Sequence, residues 1–533
     1  MTKKLEITRH FRGNGHVTTL ARSHGKEVFQ VNARIKRRLR NCKRRIQRRL
    51  RKRQWAEQRR RLFQDRNIHY DLAAKTKGLR CAGLGVFQLL TQRLKLADAL
   101  DARVHLLKRH VPYFESDHIL NLVFNLLAGG KTLNDLELLR NNETYLAVLG
   151  AQRIPDPTTA GDFLRRFEVA DIDDLMDVIN DKRLPVWRQQ PDAFFDRAVI
   201  EADGSIVETT GKCKRGMDVS YKGQWGYHPL LVSLANTQEV LFLVNRPGNR
   251  PSHEGAAAYL GRAAALCRGA GFRHILFRGD TDFSQTAELD RWDRDGIGFV
   301  FGIDAQPNLV ALAQRLPERV WTKLQRPPGY TVATQPRERP ADVKGEVVRR
   351  RGFRNVRLVS EQVAEFNYRP VACAEEYLVV VLRKQLAWER HGEVVEEETR
   401  YFFYITNRWA WSCAEVVAFA NDRGNQENLI EQLKNGVRAL RAPSNTLESN
   451  WAYMVIAALA WNLKAWLALV QPRTGYGRQL LVMEFRRFLE EVVLLPCQIV
   501  RAGRCLIYRL LQWNPWVDML WKASELLRTL RLT

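Results

Sequence analysis

Between residues 195 and 304 short apolar runs recur, and three of them stop at or beside an aspartate. The run AVIEA (198–202) meets Asp203, the run 274–277 leads through Arg278 and Gly279 to Asp280, and 299–303 ends near Asp304. Two further runs, 230–234 and 240–244, flank the hairpin-like turn Asn236-Thr237-Gln238-Glu239. An Ala-rich helix from about 253 to 269 follows Pro247, Gly248 and Pro251. The pattern is three strands, a helix, a strand and further α/β structure. It predicts an α/β fold with carboxylates at the carboxyl ends of strands, the edge of such sheets where ligands collect.

The flanking regions read differently. Residues 82–190 carry helical spacing: Leu120, Leu122, Val123, Leu126 and Leu127 mark a helix ended by Gly129-Gly130, and Thr132 or Asn134 caps another. The segment PDPTTAGDFLRRF (155–167) reads as a turn into a capped helix with two exposed arginines. In 318–405 strands are expected at 346–350, 355–359, 377–383, 393–397 and 400–405, with no helix of length. From Trp409 onward the chain reads as helical, broken by Pro496. The apolar stretch 451–470 holds Asn462 and Lys464 in its second half and reads as a buried core helix rather than a membrane span. The expected organisation is a basic arm and helix (1–80), a helical domain (81–190) that could dock on DNA or be an ordinary helical bundle, an α/β core in two parts (191–317 and 406–470), a β-rich insertion (318–405) and a helical C-terminal region (471–533).

Charge points to the partner. The chain carries 85 Lys and Arg against 58 Asp and Glu, a net +27 that calls for a polyanion. From 34 to 61 there are 16 cations and one acid, Glu57. Ile35, Leu39, Cys42, Ile46 and Leu50 form a narrow apolar seam through this run, which predicts a helix coated with Arg37, Arg38, Arg44, Arg45, Arg48 and Arg49. Contact with a nucleic-acid backbone suits it; an anionic-membrane helix or a partner-binding helix are the alternatives, and the seam lacks the bulky aromatics of a membrane helix. Eight scattered cysteines with no CxxC pair and an N-terminus without an apolar signal core fit a cytoplasmic chain with reduced thiols. There is no Walker loop, GxGxxG, HExxH or Ser-His-Asp arrangement, which argues against a nucleotide-driven enzyme or a zinc site.

Chemistry concentrates at 421–436, NDRGNQENLIEQLKNG. On one α-helix Arg423, Glu427 and Lys434 share a face, a carboxylate between two cations. A solvated face with an incidental Arg–Glu pair would look the same. Joined to Asp203 and Asp280, however, Glu427 completes a three-carboxylate set suited to two Mg²⁺ ions about 3.5–4 Å apart, with Mn²⁺ as a possible substitute. Strand-end aspartates also serve as turn formers and caps, so spacing alone leaves that alternative open.

At these residues the chain resembles bacterial DDE transposases, most of all the insertion-sequence 1380 family within the insertion-sequence 4 group. IEADGSIVETTGK (200–212) with YKGQWGYHPLL (221–231) is similar to the first-aspartate region, and RGDTDF (278–283) to the second-aspartate motif R-x-D-S-G-F. NDRGNQENLIEQLK (421–434) resembles the Y-(2)-R-(3)-E-(6)-K signature, while AGGKTLNDLELLRNN (128–142) and 155–167 resemble the family's helical N-terminal region. Two positions depart from the pattern: Ala420 stands where the signature has Tyr, and Asp282 where the second motif has Gly, placing a second carboxylate that could compete with Asp280 if the chain there is extended. The resemblance implies an RNase H-like catalytic core interrupted by a β-strand insertion and metal ligation by Asp203, Asp280 and Glu427. It further implies DNA contacts from Arg423, Lys434, Arg278 and Lys222, in a homodimer or higher multimer on terminal inverted repeats and target double-stranded DNA. The activity implied is Mg²⁺-dependent strand cleavage followed by 3′-hydroxyl transfer, with a hairpin intermediate in the wider group. An inert transposase-derived DNA-binding protein and an RNase H-like nuclease without strand transfer are the competing functions.

Overall fold

The computed structural model describes residues 33–51, 69–70, 76–110, 112–326, 341–471, 475–503 and 505–532. The chain divides into two compact units, one from residues 1–89 and 490–530, the other from 90–489 and 531–533.

In the first unit the helix Ala33–Arg51 has the expected form: Ile35, Leu39, Cys42 and Ile46 are half-buried, and the arginines between them are exposed. The rest of the basic run, 52–61, lies outside the described residues. The C-terminal segment departs from expectation. After Pro496 the chain forms a hairpin, Cys497–Ala502 with Cys505–Leu510, whose first strand also pairs with Lys77–Leu79. Alternating apolar and polar residues there, CQIVRA and CLIYRL, carry the strand period that a purely helical reading overlooked.

The second unit is built on a nine-stranded sheet. Its strands are β1 (Arg197–Gly204), β2 (Leu230–Leu234), β3 (Glu239–Val244), β4 (His274–Gly279), β5 (Ile297–Ile303), β6 (Thr322–Lys323), β7 (Asn355–Tyr368), β8 (Tyr377–Arg390) and β9 (Glu393–Thr406), in spatial order β6-β7-β8-β9-β5-β4-β1-β2-β3. β1, β2 and β3 form an antiparallel meander, while β4 and β5 lie parallel to β1. Parallel pairing needs crossovers, and helices supply them between β3 and β4 and between β4 and β5. The near-continuous apolar content of β1, β4 and β5 matches their burial on both faces.

The segment expected as a β-rich insertion adds its strands to this same sheet, because β9 pairs with β5 over Phe403–Thr406. Two expected strands at 393–397 and 400–405 are one, β9. The strand expected at 346–350 is a helix, Val343–Arg351. Its valines looked like a strand, but Asp342 caps its first turn by accepting from the Gly345 N–H, and Gly352 ends it in the left-handed region at φ 65°.

The helices needed below are α1 (Glu115–Leu127), α2 (Val169–Trp187), α3 (Ala256–Ala270), α4 (Thr286–Arg294), α5 (Cys413–Asn421), α6 (Gly424–Glu431) and α7 (Leu447–Leu469). α1 ends as expected, with Gly129 at φ 88°. The segment 155–167 is the capped helix Pro157–Leu164, Asp156 accepting from the Thr159 N–H, with Arg165 and Arg166 exposed. α7 is long and apolar enough to cross a membrane but 94% of its apolar window is buried within the protein. It covers the edge strand β3: the Asn462 side chain accepts from the Val240 N–H and donates to the Val240 carbonyl, both at 2.9 Å. An edge strand's unpaired backbone groups are thereby satisfied. α5 closes over the inner half of the added strands, its Val416 and Val417 packing with Val300, Val363, Leu378, Val380 and Leu382.

Candidate active site

Two charged layers lie at the carboxyl ends of β1 and β4. Glu201 and Arg278 are direct partners in the parallel register, and each precedes its strand's aspartate by two residues. Residues two apart on a strand face the same way, so Asp203 and Asp280 form a second layer above the first.

The lower layer is shut. Arg278 is 4% exposed and Glu201 1%. Arg278 Nε donates to Glu201 Oε1 at 2.6 Å, Nη2 approaches the same oxygen at 2.5 Å, and Nη1 donates to the Phe419 carbonyl at 2.7 Å. Burial pushes the Glu201 carboxyl up and Arg278 opposes it.

The upper layer is half-open. One nitrogen, Arg423 Nη2, meets Asp203 Oδ2 at 3.2 Å and Asp280 Oδ2 at 2.8 Å. The Gly204 N–H donates to Asp203 Oδ1 at 2.8 Å, and the Asp282 N–H to Asp280 Oδ1 at 3.1 Å. Burial raises the Asp203 carboxyl, with Arg423 working against it and Glu427 with it. Asp280 is raised to about 6, first by burial, then by the charges of Asp203 and Asp282, against the pull of Arg423. One guanidinium therefore faces a surplus of negative charge.

The sequence-predicted residues divide as follows. Asp203, Asp280 and Arg423 meet directly. Glu427 is exposed on the first turn of α6, and its charge acts on both Asp203 and Arg423. The single helical face anticipated for Arg423, Glu427 and Lys434 is not continuous: Arg423 is the N-cap of α6, and a π turn at Gln432–Gly436 reorients Lys434. Lys434 is half-buried, which lowers its ammonium; it lies near enough to feel Lys222 and Asp203. Lys222 is exposed beside the Tyr221 ring. Arg278, expected at DNA, is instead buried and committed to Glu201 and a helix carbonyl, leaving no donor face to solvent for a phosphate. Asp282 does not share the direction of Asp280, because Thr281–Phe283 is a turn of 3₁₀ helix rather than extended chain. Ala420 packs against the cluster under α5, a use for a small side chain at that position.

Two residues went unnoticed in the sequence. Glu201 was visible as an acid in the middle of an apolar run, a position that demands a partner. His228 gave no comparable signal; its Nδ1 is hydrogen-bonded to the Arg250 carbonyl at 2.8 Å, and a Cβ at Gly204 would lie 2.7 Å from its Nε2, so any side chain after Asp203 would have to displace the imidazole.

Among the described residues no three acidic, histidine or cysteine side chains are gathered tightly enough to hold one ion as they stand. The donor set nevertheless fits a hard divalent cation. Asp203 and Asp280 offer only oxygens, both already attract one positive group between them, and the charge of Glu427 on α6 reaches Asp203.

The sequence model described as Transposase DDE domain group 1 matches residues 74–532. A search of the curated proteins finds no significant match. Among solved structures, the cryo-EM structure of a piggyBac transposase synaptic complex with hairpin DNA is similar at 11% identity, with a TM-score of 0.32, covering 78% of this chain and 84% of that one. With most of its length matched, this chain belongs to the family of transposases with a group 1 DDE domain.

Proposed function

We propose that the protein cuts DNA at the terminal inverted repeats of a mobile element and joins the freed 3′-hydroxyl to target DNA, acting as a homodimer or higher multimer. The observation that carries this reading is the meeting of Asp203 and Asp280, from neighbouring parallel strands, on a single guanidinium nitrogen. The order β5-β4-β1-β2-β3 is taken as the RNase H-like core, with β6 to β9 as its insertion.

Asp203, Asp280 and Glu427 would hold Mg²⁺, with Mn²⁺ as substitute. When bound, such ions activate a water or 3′-hydroxyl and stabilise the departing oxygen. Arg423 changes partner as the carboxylates are engaged, and its guanidinium, with Lys434 and Lys222, then binds backbone phosphate beside the cut strand. The exposed arginines of Ala33–Arg51 neutralise further backbone phosphates.

The test is cleavage of a fragment bearing the inverted repeats that flank the coding sequence, in Mg²⁺, with full-length protein. Glu427→Gln should bind the fragment and leave it uncut. Cutting at the normal rate by that variant would overturn the assignment. Replacing the six arginines 37, 38, 44, 45, 48 and 49 with alanine should lower the salt slope of binding by about 5 if each meets one phosphate. An unchanged slope would remove the helix from the DNA surface.

A further inference from the structure

We infer that Glu201 and Arg278 are a positioning pair, which ties the ends of β1 and β4 to the C-terminus of α5 and so sets where α6 presents Glu427 to Asp203 and Asp280. This rests on the reading of those three carboxylates as the reactive centre. Neither member of the pair touches DNA.

An ion pair that served only to neutralise a buried glutamate would be complete with two contacts. Arg278 makes a third. With Nε and Nη2 on Glu201, its remaining Nη1 reaches out of the sheet to the carbonyl of Phe419, and its guanidinium lies 4.8 Å from the Phe419 ring centroid. Phe419 is in the last turn of α5, where carbonyls lack helical partners and the negative end of the helix dipole favours a cation. Asp422 adds a weaker contact, 3.8 Å from Nη1. Only the two-residue turn Asp422-Arg423 separates α5 from α6, so a shift at this anchor has a short link to cross before it reaches Glu427.

The rest of the surroundings are arranged to the same end. Apolar packing runs along α5 from Cys413 through Val416 and Val417 to Phe419 and Ala420, and Arg278 adds a polar tie at its C-terminal end. The planar guanidinium can address the carboxylate and the carbonyl together; a lysine ammonium on a flexible stem cannot hold both in one geometry. The sequence repeats the logic: a charge two residues before each aspartate, negative in EAD and positive in RGD, aligned by the parallel register.

The test uses the full-length protein with two variants, Arg278→Lys and the double substitution Glu201→Leu with Arg278→Met. Apolar residues of similar volume remove both buried charges at once, so the fold is retained. Three readouts are taken: amide hydrogen exchange across 419–431, Mn²⁺ binding followed by electron paramagnetic resonance without DNA, and kcat and KM for end cleavage. The double variant should exchange its α6 amides at least tenfold faster than the parent, bind Mn²⁺ about 10- to 100-fold more weakly, and lose kcat with KM for DNA unchanged. Arg278→Lys should show the same pattern with exchange in β1 and β4 unaltered. Unchanged α6 exchange with Mn²⁺ affinity within twofold would overturn the proposal. So would exchange rising evenly across the whole sheet in Arg278→Lys, which would mark a merely stabilising pair. If the parent protein itself fails to cut end DNA, the transposition reading falls, while the exchange measurement still decides whether Arg278 anchors α6.

Discussion

The two charged layers at the ends of β1 and β4 use the same residue types to opposite ends. Below, one carboxylate meets one guanidinium, both excluded from water, and the spare nitrogen is spent on a helix carbonyl. Above, Asp203, Asp280 and the nearby charges of Asp282 and Glu427 face a single half-exposed guanidinium. A closed pair holds its geometry. A layer with surplus negative charge holds tension that a divalent cation can relieve. The difference lies in stoichiometry and access to water rather than in the groups themselves.

Removing chemistry from the upper layer should have the largest effect. Asp203→Asn, Asp280→Asn and Glu427→Gln are each expected to abolish end cleavage while DNA retention in a mobility-shift assay stays near the parental level. Breaking the lower layer should instead act on folding. Arg278→Ala strands a buried carboxylate and should lower the unfolding free energy by about 3–5 kcal/mol, read by urea denaturation. A loss below 1 kcal/mol would erase the contrast between the layers.

The upper layer should respond to pH in the opposite sense to a stabilising carboxylate. With Asp280 raised from its ordinary value to about 6, the metal-free folded protein binds more protons than the unfolded chain between roughly pH 4 and 6. Its contribution to stability therefore falls as pH rises through that window, and the decrement persists at neutral pH. Asp280→Asn should remove this slope and raise the metal-free unfolding free energy at pH 7 by about 1–2 kcal/mol after solvent screening. A melting series from pH 4 to 7 in chelator checks the sign. Smallest of the expected effects is Arg423→Ala: it should tighten Mn²⁺ binding in the absence of DNA and reduce the salt slope of DNA binding by about 1. Weaker Mn²⁺ binding in that variant would mean that Arg423 supports the carboxylates rather than competing for them.

Some of this was legible in the residues. The strand-end positions of Asp203 and Asp280 follow from apolar runs that stop at an acid, and the runs became β1 and β4 within a few residues of expectation. The basic coat of Ala33–Arg51 was equally clear, because a helix with so few apolar residues has only one narrow seam to bury. Arg278 was misjudged for a definite reason. An arginine two residues before a strand-end aspartate in a cationic chain resembles a phosphate ligand, and its buried partner sits 77 residues away on another strand. The helix Val343–Arg351 and the C-terminal hairpin were missed where short segments carry both periods.

By itself the sequence determined which groups exist and which strand ends carry them: period and apolar content are local properties, and local sterics and water enforce them wherever the chain goes. It also determined the surplus of positive charge that sends the protein toward a polyanion. Only the tertiary structure decided that Glu201 and Arg278 close on each other, that Arg423 stands between Asp203 and Asp280, and that α5 is gripped at Phe419. Those outcomes depend on parallel register and on burial across long stretches of chain. Register pairs a charge on one strand with its complement on another, and burial turns that pairing from a choice into a necessity.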